Sequence, residues 1–333
     1  MDLSTKYLGW SLPHPFVAGA SPLGDSLDRI KRLEDAGVAA IVLRSLFEEQ
    51  IENEALAHWH AEHLHAESHG EASSYLPSPD GCVFGPDEYL DYVRQVKKAV
   101  AVPVIASLNG CTQGGWIDYA KAIDQAGADG LELNLYSVAC DGGESGSEIE
   151  DRACAIVRTV RQAVRMPVAV KLSPFYTSLP NFALRLQSAG ADALVLFNRF
   201  FEPDVDPEAL EVRTHMELST SHELLLRLRW LAVLSAQLRC GLAVSGGVHT
   251  ARDAIKAVMC GAHAVQLVAA LLKGGVGKLT ELRSGVARWL EENGYHSLQQ
   301  MRGSMDQSRT PDPQAFERGN YMRLLQTWRG DAL

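Results

Sequence analysis

Short apolar runs alternate along the chain with longer segments in which apolar residues recur at helical spacing. Four of these runs follow a glycine that closes a helical segment, at Gly37, Gly127, Gly190 and Gly261. Glycine readily takes the left-handed backbone conformation that ends many helices. The repeated order of helix, glycine turn and strand therefore predicts an α/β protein.

Four further apolar runs bring the number of predicted strands to eight. The predicted strands span 16–18, 40–43, 104–106, 130–133, 168–170, 193–196, 242–244 and 264–267. They are almost continuously apolar, which is typical of parallel strands buried on both faces. Eight such units predict a (β/α)8 barrel. The alternative, an open doubly wound sheet, would carry a GxGxxG turn after its first strand, and this sequence does not.

The predicted strands are unevenly spaced within what we expect to be a single domain covering residues 1–333. Segment 48–86 is far longer than an ordinary loop, which predicts an insertion over one end of the barrel. Segment 199–219 is a second long excursion, and the tail at 300–333 turns from polar to amphipathic, which favours a docking helix. Long loops after barrel strands usually build the active site.

Composition narrows the range of partners. The 333 residues are 46% hydrophobic and include 31 Lys and Arg against 41 Asp and Glu, a net charge of -10. An acidic surface repels nucleic acid and anionic membranes, so we expect neither as a partner. No apolar run approaches the roughly 20 residues of a membrane span, and the N-terminal residues lack a signal-peptide pattern. Six cysteines without a CxxC pair favour a reducing compartment, and hence the cytoplasm.

Polar residues follow the predicted strands, at positions that converge on one face of a barrel. They are Ser21, Arg44, Ser107, Asn109, Asn134, Lys171 and Asn198. Each Asn offers two donors and an acceptor, which suits a heterocycle with mixed edges, although a single Asn could merely cap a turn. Lys171 could neutralise an anionic ring, form a Schiff base, or extend toward solvent.

Each of two further motifs could be either a ligand-binding site or an ordinary structural element. Ser245, Gly246 and Gly247 lie between a predicted strand and helix, where backbone N–H groups can bind a phosphate; the alternative is a tight turn. Five His residues lie within 58–69, and some of them would share one helix face that could hold a divalent metal. The alternative for that cluster is a solvated helix, because the sequence shows no residue that would hydrogen-bond and orient the His ligands.

Several segments together resemble the dihydroorotate dehydrogenase family of FMN-dependent barrels, over nearly the whole chain. The segments are 18–21, 89–92, 102–110, 132–135, 167–174, 245–248, 261–266 and 289–295, together with Asn198. The resemblance implies an FMN cofactor whose phosphate is held by Ser245, Gly246, Gly247 and Ala269. It implies that the flavin ring is lined by Ala20, Ser21, Arg44, Asn109, Asn134 and Lys171.

The same resemblance places the substrate ring against Asn134, Asn198 and Arg44. Lys171 would stabilise the negative charge of the reduced flavin. Arg44 stands where the family has Lys, and an arginine can clasp a carboxylate through two parallel hydrogen bonds. The cofactor half of the site therefore matches the family, whereas the substrate half is altered.

The catalytic loop departs most from the family pattern. The family's base lies three residues after the Asn that matches Asn134, where this chain has Ser137. The Pro-Asn pair that follows in the family is replaced by Val138-Ala139. Cys140 lies three residues beyond Ser137 and is a second candidate for a catalytic role, because a thiol has a lower pKa than a hydroxyl.

The implied function is oxidation of dihydroorotate to orotate in pyrimidine biosynthesis, with hydride transfer to flavin N5 and Ser137 as base. We expect a homodimer, which is common in the resembling family. One alternative keeps the flavin but uses another cyclic amide, or makes the protein an electron-transfer subunit with a redox partner protein. A third hypothesis is a lyase that uses Lys171 as a Schiff base.

Overall fold

A computed structural model describes residues 1–50, 85–110, 116–200, 202–213 and 216–327. An antiparallel hairpin comes first, formed by β1 (Thr5–Tyr7) and β2 (Trp10–Leu12). A Cβ built on Gly130 would lie 3.0 Å from the Trp10 side chain, and one on Gly241 would lie 3.4 Å from the Tyr7 side chain. Both glycines are the first residues of barrel strands. The hairpin therefore closes the N-terminal end of the barrel.

Eight parallel strands form a closed barrel in chain order. They are β3 (Phe16–Ala18), β4 (Ile41–Phe47), β5 (Val104–Gly110), β6 (Gly130–Leu135), β7 (Val168–Leu172), β8 (Ala193–Leu196), β11 (Gly241–Ser245) and β12 (Ala264–Leu267). A small antiparallel hairpin, β9 (Asp204–Asp206) with β10 (Glu211–Arg213), lies between β8 and β11. The closure confirms the predicted (β/α)8 barrel and excludes the open sheet.

Helices alternate with the barrel strands. They are α1 (Leu27–Asp35), α2 (Pro86–Ala99), α3 (Trp116–Ala126), α4 (Gly146–Ala163), α5 (Leu179–Ala189), α6 (Leu224–Ser235), α7 (Ala251–Met259), α8 (Ala269–Gly274), α9 (Gly277–Glu292), α10 (Leu298–Met301) and α11 (Arg318–Thr327). One apolar cluster packs the strands against these helices, and a second, smaller one fills the barrel with residues such as Val17, Ile105 and Ala169. No helix in the described part of the chain is long and apolar enough to cross a membrane.

The structure describes the three predicted long segments to different extents. Most of the predicted insertion, residues 51–84, lies outside the described residues, and so does the His58–His69 cluster. The excursion at 199–219 contains the β9–β10 hairpin. The tail does form an amphipathic helix, α11, but Tyr321, Leu324 and Leu325 are more than 60% exposed and do not pack on the barrel.

The four glycines that precede strands all adopt positive φ, from 82° at Gly37 to 114° at Gly261. Their predicted left-handed conformation is therefore confirmed. Gly261 is also tightly packed, because a Cβ there would lie 2.2 Å from Ser235 Oγ. Gly127 has φ 91° but no atom within 4 Å of a built Cβ.

This contrast predicts two different costs for the same substitution. Gly127→Ala should lower the free energy of unfolding by about 1 kcal/mol, through backbone strain alone. Gly261→Ala should lower it by about 3 kcal/mol or more, because overpacking against Ser235 adds to the strain. Urea unfolding of both variants measures the difference, and equal losses would contradict the packing at Gly261.

Candidate active site

Strand register brings the predicted polar residues together inside the barrel. Asn134 on β6 pairs with Asn109 on β5 and with Lys171 on β7. Side chains two residues apart on a strand share a face, and Ile105 and Ala169 belong to the cluster inside the barrel. Asn109 and Lys171 therefore face the interior, as does Asn134 between them. These three side chains form a continuous polar patch at the C-terminal end of the barrel interior.

Further polar residues face the interior two positions nearer the N-terminal ends of these strands. Glu132, two residues before Asn134, pairs with Ser107 in register. Ser107 Oγ is 2.7 Å from Ser45 Oγ on β4, and on the far side of the barrel Ser245 pairs with Gln266. Inward-facing residues of most barrels are apolar and branched. Here the upper part of the interior is polar instead, while the lower part is filled by small apolar side chains.

Glu132, Lys171 and Gln266 form a closed triangle of buried hydrogen bonds. Lys171 Nζ donates to Glu132 Oε1 at 3.1 Å and to Gln266 Oε1 at 3.4 Å. Gln266 Nε2 donates to the other oxygen of Glu132. The Lys171 and Glu132 side chains are only 6% and 1% exposed. Because buried charges are costly unless they are paired and hydrogen-bonded, the triangle explains how both are accommodated.

The triangle leaves Lys171 with a free donor. An ammonium group has three N–H donors, and two of them are used among the described residues. Lys171 is therefore a fixed positive charge with one hydrogen bond available to a ligand. Below it, the buried Tyr7 hydroxyl has no partner in the described part of the chain, and burial, together with the nearby Glu132 carboxylate, raises the pKa of Tyr7 well above its usual value.

Asn134 presents a second opening for a ligand. Its side-chain oxygen Oδ1 is buried and finds no hydrogen-bond partner within the described ranges. A buried amide oxygen without a donor is costly, so native proteins usually satisfy it with a ligand or water. Asn134 lies beside Lys171 in register, and the two groups together offer an acceptor and a cationic donor.

The Gly246–Gly247 loop follows β11 and has φ 82° at both glycines. A Cβ on Gly247 would lie 2.6 Å from the Leu224 backbone nitrogen, so the close approach of loop and α6 requires glycine. Gly247 N–H donates to Ser219 Oγ at 3.2 Å, and Ser219 Oγ is also 3.3 Å from His249 Nε2. Ser219 therefore brings the end of the 199–219 excursion onto this loop.

Two cations flank the glycine loop without hydrogen-bonding a carboxylate among the described residues. Lys273 Nζ on α8 donates to the carbonyl oxygens of Leu218 and Ser219 at 3.3 and 3.2 Å. Arg227 on α6 donates to the carbonyl oxygens of Ser245 and Glu223. Two cations that hydrogen-bond only carbonyl oxygens, placed beside a glycine turn, suit a phosphate. Burial, followed by the charge of Lys273, lowers the pKa of His249, which favours its neutral form.

The remaining predicted residues occupy the loops around this mouth. Ser21 is buried and begins a short 3-10 turn at Pro22–Gly24, next to the partly buried Ala20. Ala269 begins α8 directly after β12 and is buried. Asn198 is partly buried, and its backbone N–H donates to Leu172 O at 2.8 Å. Ser137 is partly exposed on the loop after β6, and Cys140 on the same loop is exposed.

Arg44 lies in a register shift between Val42 and Ser45 on β4. Its Nη2 atom is 3.0 Å from Asp25 Oδ2, so the guanidinium expected to clasp a ligand carboxylate already has a carboxylate partner. No cluster of three His, Cys, Asp or Glu suited to a metal occurs among the residues whose placement is described.

Three aromatic rings line one side of the mouth. Phe200 lies two residues after Asn198. Its ring packs edge-on against that of Phe175, with 4.6 Å between the ring centroids, and its centroid is 5.8 Å from that of Tyr136. Tyr136 directly precedes Ser137, so this apolar wall stands next to the proposed base.

The sequence analysis assigns no function to five of the residues that build this site. Glu132 and Gln266 lie within segments that resemble the family. A carboxylate in an apolar strand indicates a buried ion pair, because a buried charge needs a partner. Asp25, Ser219 and Lys273 give no comparable signal, because their contacts here are made with residues at least 19 positions away.

A family model and several known proteins match this chain over much of its length. A family model described as dihydroorotate dehydrogenase matches residues 83–290, more than half of the chain. The catalytic subunit of dihydroorotate dehydrogenase B (NAD(+)) from Methanosarcina acetivorans is 28% identical over 89% of this chain and 93% of its own. The NAD-dependent dihydropyrimidine dehydrogenase subunit PreA from Escherichia coli K12 is 24% identical over 93% of this chain and 78% of its own.

The buried triangle generates a stability prediction. Lys171→Met leaves the Glu132 charge buried without its partner and should cost about 3–5 kcal/mol of unfolding free energy. Glu132→Leu should cost a similar amount for the opposite reason. The double variant should be more stable than either single variant, because no unpaired charge remains. Urea unfolding without added flavin measures all three, and losses that simply add would contradict the pairing.

Proposed function

The chain belongs to the dihydroorotate dehydrogenase family, and from that premise we propose that it binds FMN and oxidises a CH–CH bond of a dihydropyrimidine ring. Members of this family are flavin-dependent dehydrogenases acting on such bonds. The observation that carries the proposal for this chain is the pairing of a fixed buried cation, Lys171, with the unpartnered amide oxygen of Asn134 at the barrel mouth. A flavin ring has carbonyl acceptors and a ring N–H that match this pair.

The residues present fit FMN at both ends. Gly246 and Gly247, with Ser245 before them and Ala269 on α8, would hold the phosphate, and Lys273 and Arg227 supply positive charge there. Asn109, Asn134 and Lys171 would contact the ring, with Ala20 and Ser21 from the adjacent loop. When bound, FMN accepts the hydride that leaves the substrate.

The protein's own residues would orient the substrate and move the proton. Asn134 and Asn198 would hydrogen-bond the amide groups of the ring. Ser137, on the loop after β6, would take the proton from the ring carbon next to the one that loses hydride. The aromatic wall of Tyr136, Phe175 and Phe200 would keep water from that side of the reacting atoms.

Two substrate candidates follow from the comparisons and the loop sequence. Dihydroorotate is the substrate named for the Methanosarcina relative. A dihydropyrimidine without the carboxylate is the second candidate, because the relative PreA carries that activity in its name and spans 93% of this chain. Both relatives are named as subunits, which supports a redox partner protein as electron acceptor. The homodimer and the cytoplasmic location stay predictions.

The geometry disfavours the lyase hypothesis. A Schiff base requires the lysine nitrogen to present a lone pair to a carbonyl carbon. Lys171 instead donates to Glu132 and Gln266 as part of a buried ion pair. The nitrogen is therefore arranged as a hydrogen-bond donor and a positive charge.

The direct test is the visible absorbance of the purified protein loaded with FMN under anaerobic conditions. We expect flavin absorbance that bleaches when dihydroorotate or 5,6-dihydrouracil is added, because either ring can donate the hydride. Riboflavin, which lacks the phosphate, should bind at least about tenfold more weakly than FMN. A protein that binds no flavin, or a flavin that neither ring bleaches, would contradict the proposal.

Matched variants of the catalytic loop identify the base within the same experiment. Ser137→Ala should slow bleaching by about a hundredfold or more, because general-base catalysis typically contributes that much, and should leave FMN bound. Cys140→Ala on the same exposed loop should change the rate by less than about twofold, as expected for an exposed surface side chain away from the chemistry. Unchanged bleaching in Ser137→Ala would show that another group takes the proton.

A further inference from the structure

Positive charge is distributed unevenly around the barrel mouth. Four Lys and Arg residues on or after the barrel strands pair with carboxylates: Arg44 with Asp25, Lys171 with Glu132, Arg199 with Glu223, and Arg213 with Asp206. The segments 51–84 and 111–115, which follow β4 and β5, contain no Lys or Arg in the sequence. Cations that hydrogen-bond only carbonyl oxygens lie instead beside the Gly246–Gly247 loop, at Arg227 and Lys273.

This distribution separates the mouth into two ends. The end beside β11 and β12 has positive charge to offer an anionic group, which the proposed FMN phosphate would use. The end beside β3 and β4 holds Arg44, whose charge is offset by Asp25. Arg29 in the first turn of α1 is a second cation near Asp25, and its Nη1 atom donates to the carbonyl oxygen of Pro22.

Asp25 is held in place from two sides. It follows the 3-10 turn Pro22–Gly24, and the Gly24 carbonyl accepts a 2.7 Å hydrogen bond from the Tyr92 hydroxyl on α2. Its side chain is 14% exposed, against 35% for Arg44. Its second oxygen, Oδ1, is buried and has no hydrogen-bond partner among the described residues. Desolvation by burial raises the pKa of Asp25, so a further negative charge beside it would be unfavourable.

We propose that Asp25 determines substrate specificity by occupying Arg44 and excluding a carboxylate from this end of the mouth, so that the preferred substrate is an uncharged cyclic amide. A ligand carboxylate at Arg44 would share one guanidinium with Asp25 and would be repelled by the Asp25 carboxylate. An uncharged ring meets no such repulsion, and the unpartnered Oδ1 of Asp25 can accept a hydrogen bond from a ring N–H. This inference rests on the proposed function and names its substrate class.

The experiment compares dihydroorotate with 5,6-dihydrouracil, the same ring without the carboxylate, as reductants of the FMN-loaded protein. Dihydrouracil should reduce the wild-type flavin with a second-order rate constant at least about tenfold above that of dihydroorotate. Asp25→Asn should shift the ratio by about tenfold or more toward dihydroorotate, because Arg44 is then free to bind the carboxylate. The control Asp28→Asn removes a neighbouring exposed charge and should leave the ratio within about twofold.

Equilibrium binding provides a readout that does not depend on turnover. Calorimetric titration of wild type with uracil and with orotate should show tighter binding of uracil. In Asp25→Asn, the difference in affinity should be reduced or reversed. If Asp25→Asn does not fold, the order of the two ligands on wild type decides. Equal or better binding and turnover of the carboxylated ring would overturn the assignment of Asp25. Bleaching by neither ring would instead overturn the proposed function, so the two failures can be told apart.

Discussion

A lysine and a glutamate buried side by side inside the barrel constrain the rest of the site. Glu132 and Lys171 are almost completely excluded from solvent, and neither could be accommodated there without the other. Gln266 on β12 bridges them across the barrel and uses both of its polar atoms to do so. The three side chains tie β6, β7 and β12 together inside the barrel, next to Asn134 on β6.

The lower part of the barrel makes this arrangement possible. Small residues such as Ala169, Ala193 and Ala243 fill the interior, and the β1–β2 hairpin closes the end below them with Tyr7, Leu8 and Leu12. Water is thereby kept from the ion pair on that side, and a shielded charge acts more strongly on a bound ring than an exposed one. Around the mouth, Lys273 and Arg227 hydrogen-bond carbonyl oxygens beside the glycine loop, whereas Arg44 pairs with the Asp25 carboxylate.

The barrel and much of its mouth could be predicted from the sequence because both depend on local patterns. Apolar runs after Gly127 or Gly190 identify strands, and Asn134 or Lys171 at the end of such a run identifies the face that carries chemistry. Pairing across the barrel depends instead on register and loop path. Asp25 neutralises Arg44 and Ser219 reaches Gly247 only because distant segments meet, which no single stretch of sequence encodes. Arg44 therefore looks free in the sequence and is paired in the structure.

The buried charge of Lys171 should favour the reduced form of a bound flavin. Lys171 pairs with Asn134, two residues nearer the C-terminal ends of the strands than Glu132, so its charge should dominate at the ring. The midpoint potential of the FMN-loaded protein tests this most directly when wild type is compared with the Glu132→Leu, Lys171→Met double variant. We expect a potential more negative by about 30 mV or more in the variant, since that shift corresponds to a tenfold weaker preference for the two-electron reduced form. An unchanged potential would contradict it.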